Sequence, residues 1–301
     1  MNNKRRLFST VLCVAALTAG LFVSGCGSDK AGGIGSVVSS VVDGGDEKAA
    51  AKLNTLIDAT NRFNSDNASF AQFQAEGLAK LKGGFAEGAI TNQPHFDRLQ
   101  ADLEKSKKEG STFKEVDAER DNVLNILNEL VPVYKDLTAY DDSKAYMNDG
   151  GAKGKELAAK YVAAVEKFDA AYAKFNEVLN KVNAEQSKKQ IEKLKKDGKK
   201  GYAAAMESTL RLTTLVDNLE KAPQKADKAA VEKELSEIEA LLKSINNDRG
   251  QVLADRYNSV VGDVRQVLAD PSDNNLNNMI EGFNGYIDTY NSTTPDQFDA
   301  K

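Results

Sequence analysis

The sequence predicts an all-α protein, an elongated antiparallel helical bundle built from long coiled-coil-like helices that follows an N-terminal apolar segment and a flexible tether. Three observations carry this. From Tyr161 to Val182 apolar residues recur at alternating steps of four and three without a break, the 3.5-residue period of one narrow seam. No segment alternates β-branched and polar residues as a half-buried strand does. Charged residues make up 28% of the chain and aromatic residues 7%, with only five prolines, which suits long amphipathic helices better than a sheet enzyme.

The chain begins with Lys4, Arg5 and Arg6, then runs apolar from Leu7 to Val23 with interruptions only at Ser9, Thr10 and Gly20, and closes with Ser24, Gly25 and Cys26. A basic start, an apolar middle and small residues at the end are the order of a secretory signal. Val23-Ser24-Gly25-Cys26 resembles the lipobox read by bacterial lipoprotein signal peptidase. The resemblance implies a signal peptide over 1–25, cleavage between Gly25 and Cys26, and acylation of Cys26. With two or three acyl chains the anchor in the lipid bilayer would be stable by itself. Neither Gly27 nor Ser28 is the Asp that retains such proteins at the inner membrane of enteric bacteria, so the expected location is the outer membrane, facing the periplasm. Residues 26–45 are rich in Gly and Ser and read as a tether with a root-mean-square reach of roughly 24 Å.

From Asp46 the pattern turns helical. Leu53, Ile57, Thr60, Phe63, Phe70, Phe73, Leu78 and Leu81 predict one helix ending at Gly83-Gly84. A loop to Pro94 precedes a short polar helix to about Lys108. Thr112 and Glu115 have capping-box spacing for a helix carrying Val116, Val123, Leu127, Leu130, Tyr134 and Leu137, with a kink expected at Pro132. The strongest stripe follows, weakens at Gln186 and Lys189, resumes at Ile191 and Leu194, and meets Gly198 and Gly201, so the segment with Tyr202, Met206, Leu210 and Leu219 is either a bent continuation or a separate helix. Pro223 closes it and Asp227 can cap the next helix. A single helix is expected from there to Asp270-Pro271, through Val231, Leu235, Ile238, Leu242, Ile245, Val252, Val260, Val264 and Val267. Leu276, Ile280, Phe283, Ile287 and Tyr290 mark the last helix. The bundle domain is thus assigned to 46–291 and a polar tail to 292–301.

Composition narrows the chemistry. Cys13 lies in the signal segment and Cys26 is taken by lipid, so no disulfide is expected. His95 is the sole histidine and Trp is absent. A His-rich metal site has no ligand set, and a Glu-x-x-His pair for a bundle di-iron site is missing. No cofactor or metal is expected. Removing 1–25 deletes three basic residues and no acid, which takes the formal charge from −5 to −8 and argues against nucleic-acid binding.

Three features stand out. The pattern apolar-Asn-x-x-Ile-Asp-x-x-Asn occurs at Leu53 to Asn61 and again at Phe283 to Asn291, which suggests that the terminal helices pack together with these polar residues at the seam edge. Tyr140, Tyr146 and Asp149 cluster beside Gly150-Gly151 at a turn, either covering the bundle end or meeting a partner. Lys188, Lys189, Lys193, Lys195, Lys196, Lys199 and Lys200 are offset only by Glu192 and Asp197; they form either a solvated helix face or a patch for an anionic surface.

The lipobox, Lys52 to Asn61 (KLNTLIDATN), Tyr140 to Lys155 (YDDSKAYMNDGGAKGK) and Gly201 to Met206 together resemble the YiiG-like bacterial lipoproteins, a family without an assigned activity. Leu56 and Thr60 depart from the tyrosines expected there. The resemblance implies a helical lipoprotein and carries over no catalytic residue. The leading expectation is a non-enzymatic envelope protein that binds an envelope protein partner or spaces envelope components. The alternatives are a carrier of a small apolar ligand between helices and a carboxylate-dependent cell-wall glycan hydrolase.

Overall fold

The computed structural model describes residues 46–68, 71–91, 93–109 and 113–300. Gly25, Cys26, the signal segment, the tether, Phe70 and Thr112 lie outside the described residues. Among those described, 85% are helical and none is in a strand. The helices are α1 (Asp46–Ala68), α2 (Ala71–Lys82), α3 (Phe96–Lys108), α4 (Lys114–Asp142), α5 (Tyr146–Asp149), α6 (Ala152–Lys196), α7 (Lys200–Lys221), α8 (Lys228–Lys243), α9 (Asp248–Ala269), α10 (Asp273–Asn291) and α11 (Pro295–Phe298). A 3-10 turn, Pro223–Lys225, joins α7 to α8. The all-α bundle expected from the sequence is the fold observed.

From Lys52 on, the chain forms two compact units, Lys52–Lys181 and Val182 onward, with the division falling inside α6. In the first unit a cluster of touching rings runs through a core that also holds Leu53, Ile57, Leu127 and Leu130. Phe63 of α1 lies 6.1 Å from Phe96 of α3, and 5.8 Å and 5.3 Å from Phe168 and Tyr172 of α6. Phe96 and Phe168 meet edge to face at 5.0 Å, an arrangement that adds to the area each ring buries. Tyr161, Phe168, Phe175 and Leu179 are all buried, as the four-and-three spacing predicts. Exposed pairs Arg62–Asp102 and Arg98–Asp66 link α1 to α3.

In the second unit the core is mainly aliphatic, drawn from the end of α6 and from α7 through α10, including Leu194, Leu212, Val216, Ile238, Val260 and Val264. The Tyr286 hydroxyl lies buried between Ser208 Oγ (3.2 Å) and Thr209 Oγ1 (3.1 Å). Phe298 of α11 is buried and stacks at 6.0 Å on both Tyr202 and Tyr290. The segment read as a polar tail is therefore held in the unit's core by one aromatic side chain.

Three boundaries differ from the sequence reading, and one that it left open, between α6 and α7, is settled. The first expected helix is two, α1 and α2, and the register restarts so that Gln74 is buried while Phe73 is 59% exposed. α6 and α7 are separate helices. Gly198 at φ +79° lets the chain turn, the Lys199 amide donates to the Leu194 carbonyl (2.9 Å), and the Gly198 amide to that of Lys195 (3.3 Å), which closes the helix with a Schellman motif. The expected helix from Val231 to Val267 is α8 and α9, because Asn247 accepts from the Arg249 and Gly250 amides and starts a new helix. Val252 then faces out and Leu253 is buried. α4 begins at Lys114 with Phe113 in the cap position and no side-chain cap. α4 continues through Pro132, which is exposed. Asp227 caps α8 as read. The two Asn-x-x-Ile-Asp segments fall in different units, with Ile57 and Ile287 each buried.

Candidate functional site

The corner between α4 and α6 gathers the tyrosines singled out by the sequence. Lys144 adopts φ 51°, and the Ala145 amide donates to the Tyr140 carbonyl at 3.2 Å, so α4 ends abruptly. Gly150 and Gly151, at φ +64° and +85°, reverse the chain into α6, a conformation that glycine adopts without steric cost. Asp149 organises the turn. Its carboxylate accepts from the Tyr140 hydroxyl (2.6 Å) and from the Gly151 (2.9 Å) and Lys153 (3.0 Å) amides. Those three donors hold the Asp149 carboxyl below the usual carboxylate range.

The turn is fastened to the loop before α3. The Phe85 ring lies 5.1 Å from Tyr140 and 5.4 Å from Tyr146, and the Gly88 amide donates to Asp141 Oδ2 at 2.9 Å. The Glu87 carboxylate facing Tyr146 pushes that phenol up to about 12. A Cβ on Gly154 would sit 2.4 Å from Tyr140 Cε1 and 2.7 Å from Phe85 Cγ, so the ring packing requires glycine there. The structure therefore unites Tyr140, Tyr146 and Asp149, with Met147 beside them 71% exposed. Asp141 completes the corner together with Phe85 and Gly154, which escaped the sequence reading. Gly154 stands in the quoted motif, but nothing local announces a ring arriving from Phe85.

Two carboxyls of the first unit are chemically unusual. Burial pushes Asp58 up to about 6 and Asp169 up to about 7, with neighbouring Glu166 adding to the second shift. Asp169 Oδ2 is buried without a hydrogen-bond partner. Both residues flank seam positions, Ile57 and Phe168, and that adjacency was the available signal. Among the described residues no group of three or more His, Cys, Asp and Glu side chains is arranged to hold a metal.

In the second unit a half-open groove of about 510 Å³ runs between α7, the 3-10 turn and α8. Leu215, Leu219 and Val231 form its buried base. At its rim Arg211 grips Glu234 with two parallel bonds, Nε to Oε1 (2.7 Å) and Nη2 to Oε2 (2.8 Å), and also reaches Glu237. Lys225 and Asp227 line it as well. An apolar base with a mixed-charge rim suits a small amphipathic molecule. The lysines from Lys188 to Lys200 stand on the end of α6 and the start of α7. His95 is exposed at the start of α3. No described helix is long and apolar enough to cross a membrane.

A family model described as a protein of unknown function, DUF3829, matches residues 47–270. No curated protein and no solved structure matches the chain.

Proposed function

We propose that this chain, which belongs to the DUF3829 family of proteins of unknown function, is a lipoprotein anchored in the bacterial envelope through acylated Cys26. Its helical body acts by contact with another envelope component rather than by catalysis. The observation that carries the reading is Val23-Ser24-Gly25-Cys26 at the end of the apolar run. The narrower likeness to YiiG-like lipoproteins belongs to the same reading, as does outer-membrane placement from Gly27 and Ser28. The body supports a contact role because its distinctive polar groups are engaged with one another: Tyr140 with Asp149, Tyr286 with Ser208 and Thr209, Arg211 with Glu234.

Cell fractionation of a Cys26→Ser variant tests the anchor. Wild-type chain should sediment with membranes and dissolve in detergent, while the variant should appear as soluble protein or uncleaved precursor. Variant protein that fractionates and migrates like wild type overturns the reading.

The groove over Leu215, Leu219 and Val231 favours a second reading, a carrier of a small ligand with an apolar part. Native mass spectrometry of the purified protein should then show a non-covalent adduct that Leu219→Trp abolishes. A chain that is bare in both forms removes this reading.

A further inference from the structure

We infer that the lysine ridge at the end of α6 docks on the phosphate headgroups of an anionic phospholipid bilayer, the membrane that would hold the chain's own acyl anchor; this rests on the anchorage of Cys26. Ile191 and Leu194, exposed by only 4% and 2%, fix the rotation of α6 in the core of the second unit. That rotation leaves Lys188, Lys189, Lys195 and Lys196 exposed and Lys193 half-buried. Lys189, Lys193 and Lys196 follow at steps of four and three and so lie along one stripe of the helix.

Acidic neighbours engage only part of this charge. Lys195 bridges Glu192 (3.4 Å) and Glu207 (2.8 Å), and Lys199 meets Asp296 at 3.2 Å. Lys188, Lys189, Lys193, Lys196 and Lys200 have no acidic partner among the described residues. Basic residues in a last helical turn are favoured by the helix dipole, which accounts for Lys193, Lys195 and Lys196. It does not account for Lys188 and Lys189 further back, and it opposes Lys200 at the start of α7. Segment 188–200 holds seven lysines against two acids, in a chain whose overall charge is negative.

The ridge fits a lipid surface better than other polyanions. It has no aromatic side chain among its lysines to stack on bases. None of the exposed large apolar residues, Phe73, Met147 and Val252, lies in it, so it lacks the buried anchor on which protein interfaces concentrate their affinity. Long solvated lysines are the pattern that anionic headgroups attract, with an effect of about five-fold per residue.

The acylated chain, inserted in vesicles of phosphatidylcholine alone or with about one third phosphatidylglycerol, can be treated briefly with an amine-acetylating reagent and read by mass spectrometry. Labelling of Lys188, Lys189, Lys193, Lys196 and Lys200 should slow at least about five-fold in the anionic vesicles and recover at high salt. Lys233 and Lys243, 79% and 70% exposed in the same unit, should change less than about two-fold. Equal ridge labelling in both compositions, or slowing shared by the control lysines, overturns the inference. Protection found in intact cells but not in anionic vesicles overturns it in favour of an acidic protein. Flotation with the neutral vesicles reads the anchor separately. A chain that fails to float overturns the anchorage and this inference together, and one that floats with an unprotected ridge overturns this inference alone.

Discussion

The buried rings of the first unit mostly touch one another, and several of those in the second sit apart among aliphatic chains, although both units are made of amphipathic helices from one sequence. Around Phe63, Phe96, Phe168 and Tyr172 a few large side chains span several helices at once. In the second unit Tyr257, Phe283 and Tyr286 are buried as deeply, but each sits among aliphatic side chains. Helix ends differ in parallel. α8, α9 and α10 are closed by their own Asp227, Asn247 and Ser272. In the first unit α3 and α4 have no side-chain cap at His95 and Phe113, and Asp149 closes the start of α6 while also holding Tyr140. The first unit thus joins its helices through a connected ring cluster, and in the second three helices carry their own side-chain caps.

The sharpest way to break this contrast is Phe175→Ala. Phe175 is fully buried, and truncating it should cost roughly 3 to 5 kcal/mol, read as a large fall in melting temperature. Amide exchange should rise most among residues of the first unit. A shift of only a degree or two would mean that the aromatic core is not what holds this unit.

Next in size are two glycines, one in each unit. Gly154→Ala would push a methyl into Tyr140 and Phe85, and Gly201→Ala would set one 2.1 Å from the Phe298 carbonyl. Each should cost about 1 to 3 kcal/mol, with different local effects. The first should raise the exposure of Tyr140, visible in tyrosine fluorescence. The second should free α11, whose Asp299 accepts from the Gly201 and Tyr202 amides, and make it sensitive to protease. Protease resistance equal to wild type would show that α11 is not seated through Gly201.

A smaller effect separates the units by pH. Asp58 and Asp169 are raised from 3.8 to about 6 and about 7. Their protonated forms suit the folded state, so their contribution is complete below about pH 4 and is lost as pH rises through 6 to 7. Asp169→Asn should therefore stabilise the protein by roughly 2 kcal/mol at pH 8 and little at pH 4. Denaturant midpoints at the two pH values check this, and an equal shift at both would remove the titration argument. Smallest of all, Lys174→Ala removes an exposed lysine from its ion pair with Glu119 and should change stability by less than about 0.5 kcal/mol, against the large loss from Phe175 next to it.

What the sequence could disclose follows the same division. The Tyr161 to Val182 seam was legible because each buried residue repeats at helical spacing, and Asp227 and Pro223 are local signals. The break before α9 was hidden because apolar residues continue across Asn247 in a plausible stripe. Phe73 and Val252 were misplaced for one reason, since a restarted helix shifts the buried face by a residue. Phe298 is a lone apolar side chain in a polar stretch, and only the pocket formed with Tyr202 and Tyr290 explains its burial. Of the candidate sites, the tyrosine corner and the lysines were visible as composition, while the groove beneath Arg211 depends on helices brought together by folding.

Anchorage in the envelope rests on the N-terminus that both units follow. Protein purified from membranes with detergent can be digested and its N-terminal peptide identified by mass spectrometry. The expected peptide begins at Cys26 and carries the added mass of two or three acyl chains. A peptide that begins elsewhere, or an unmodified Cys26, would contradict that anchorage.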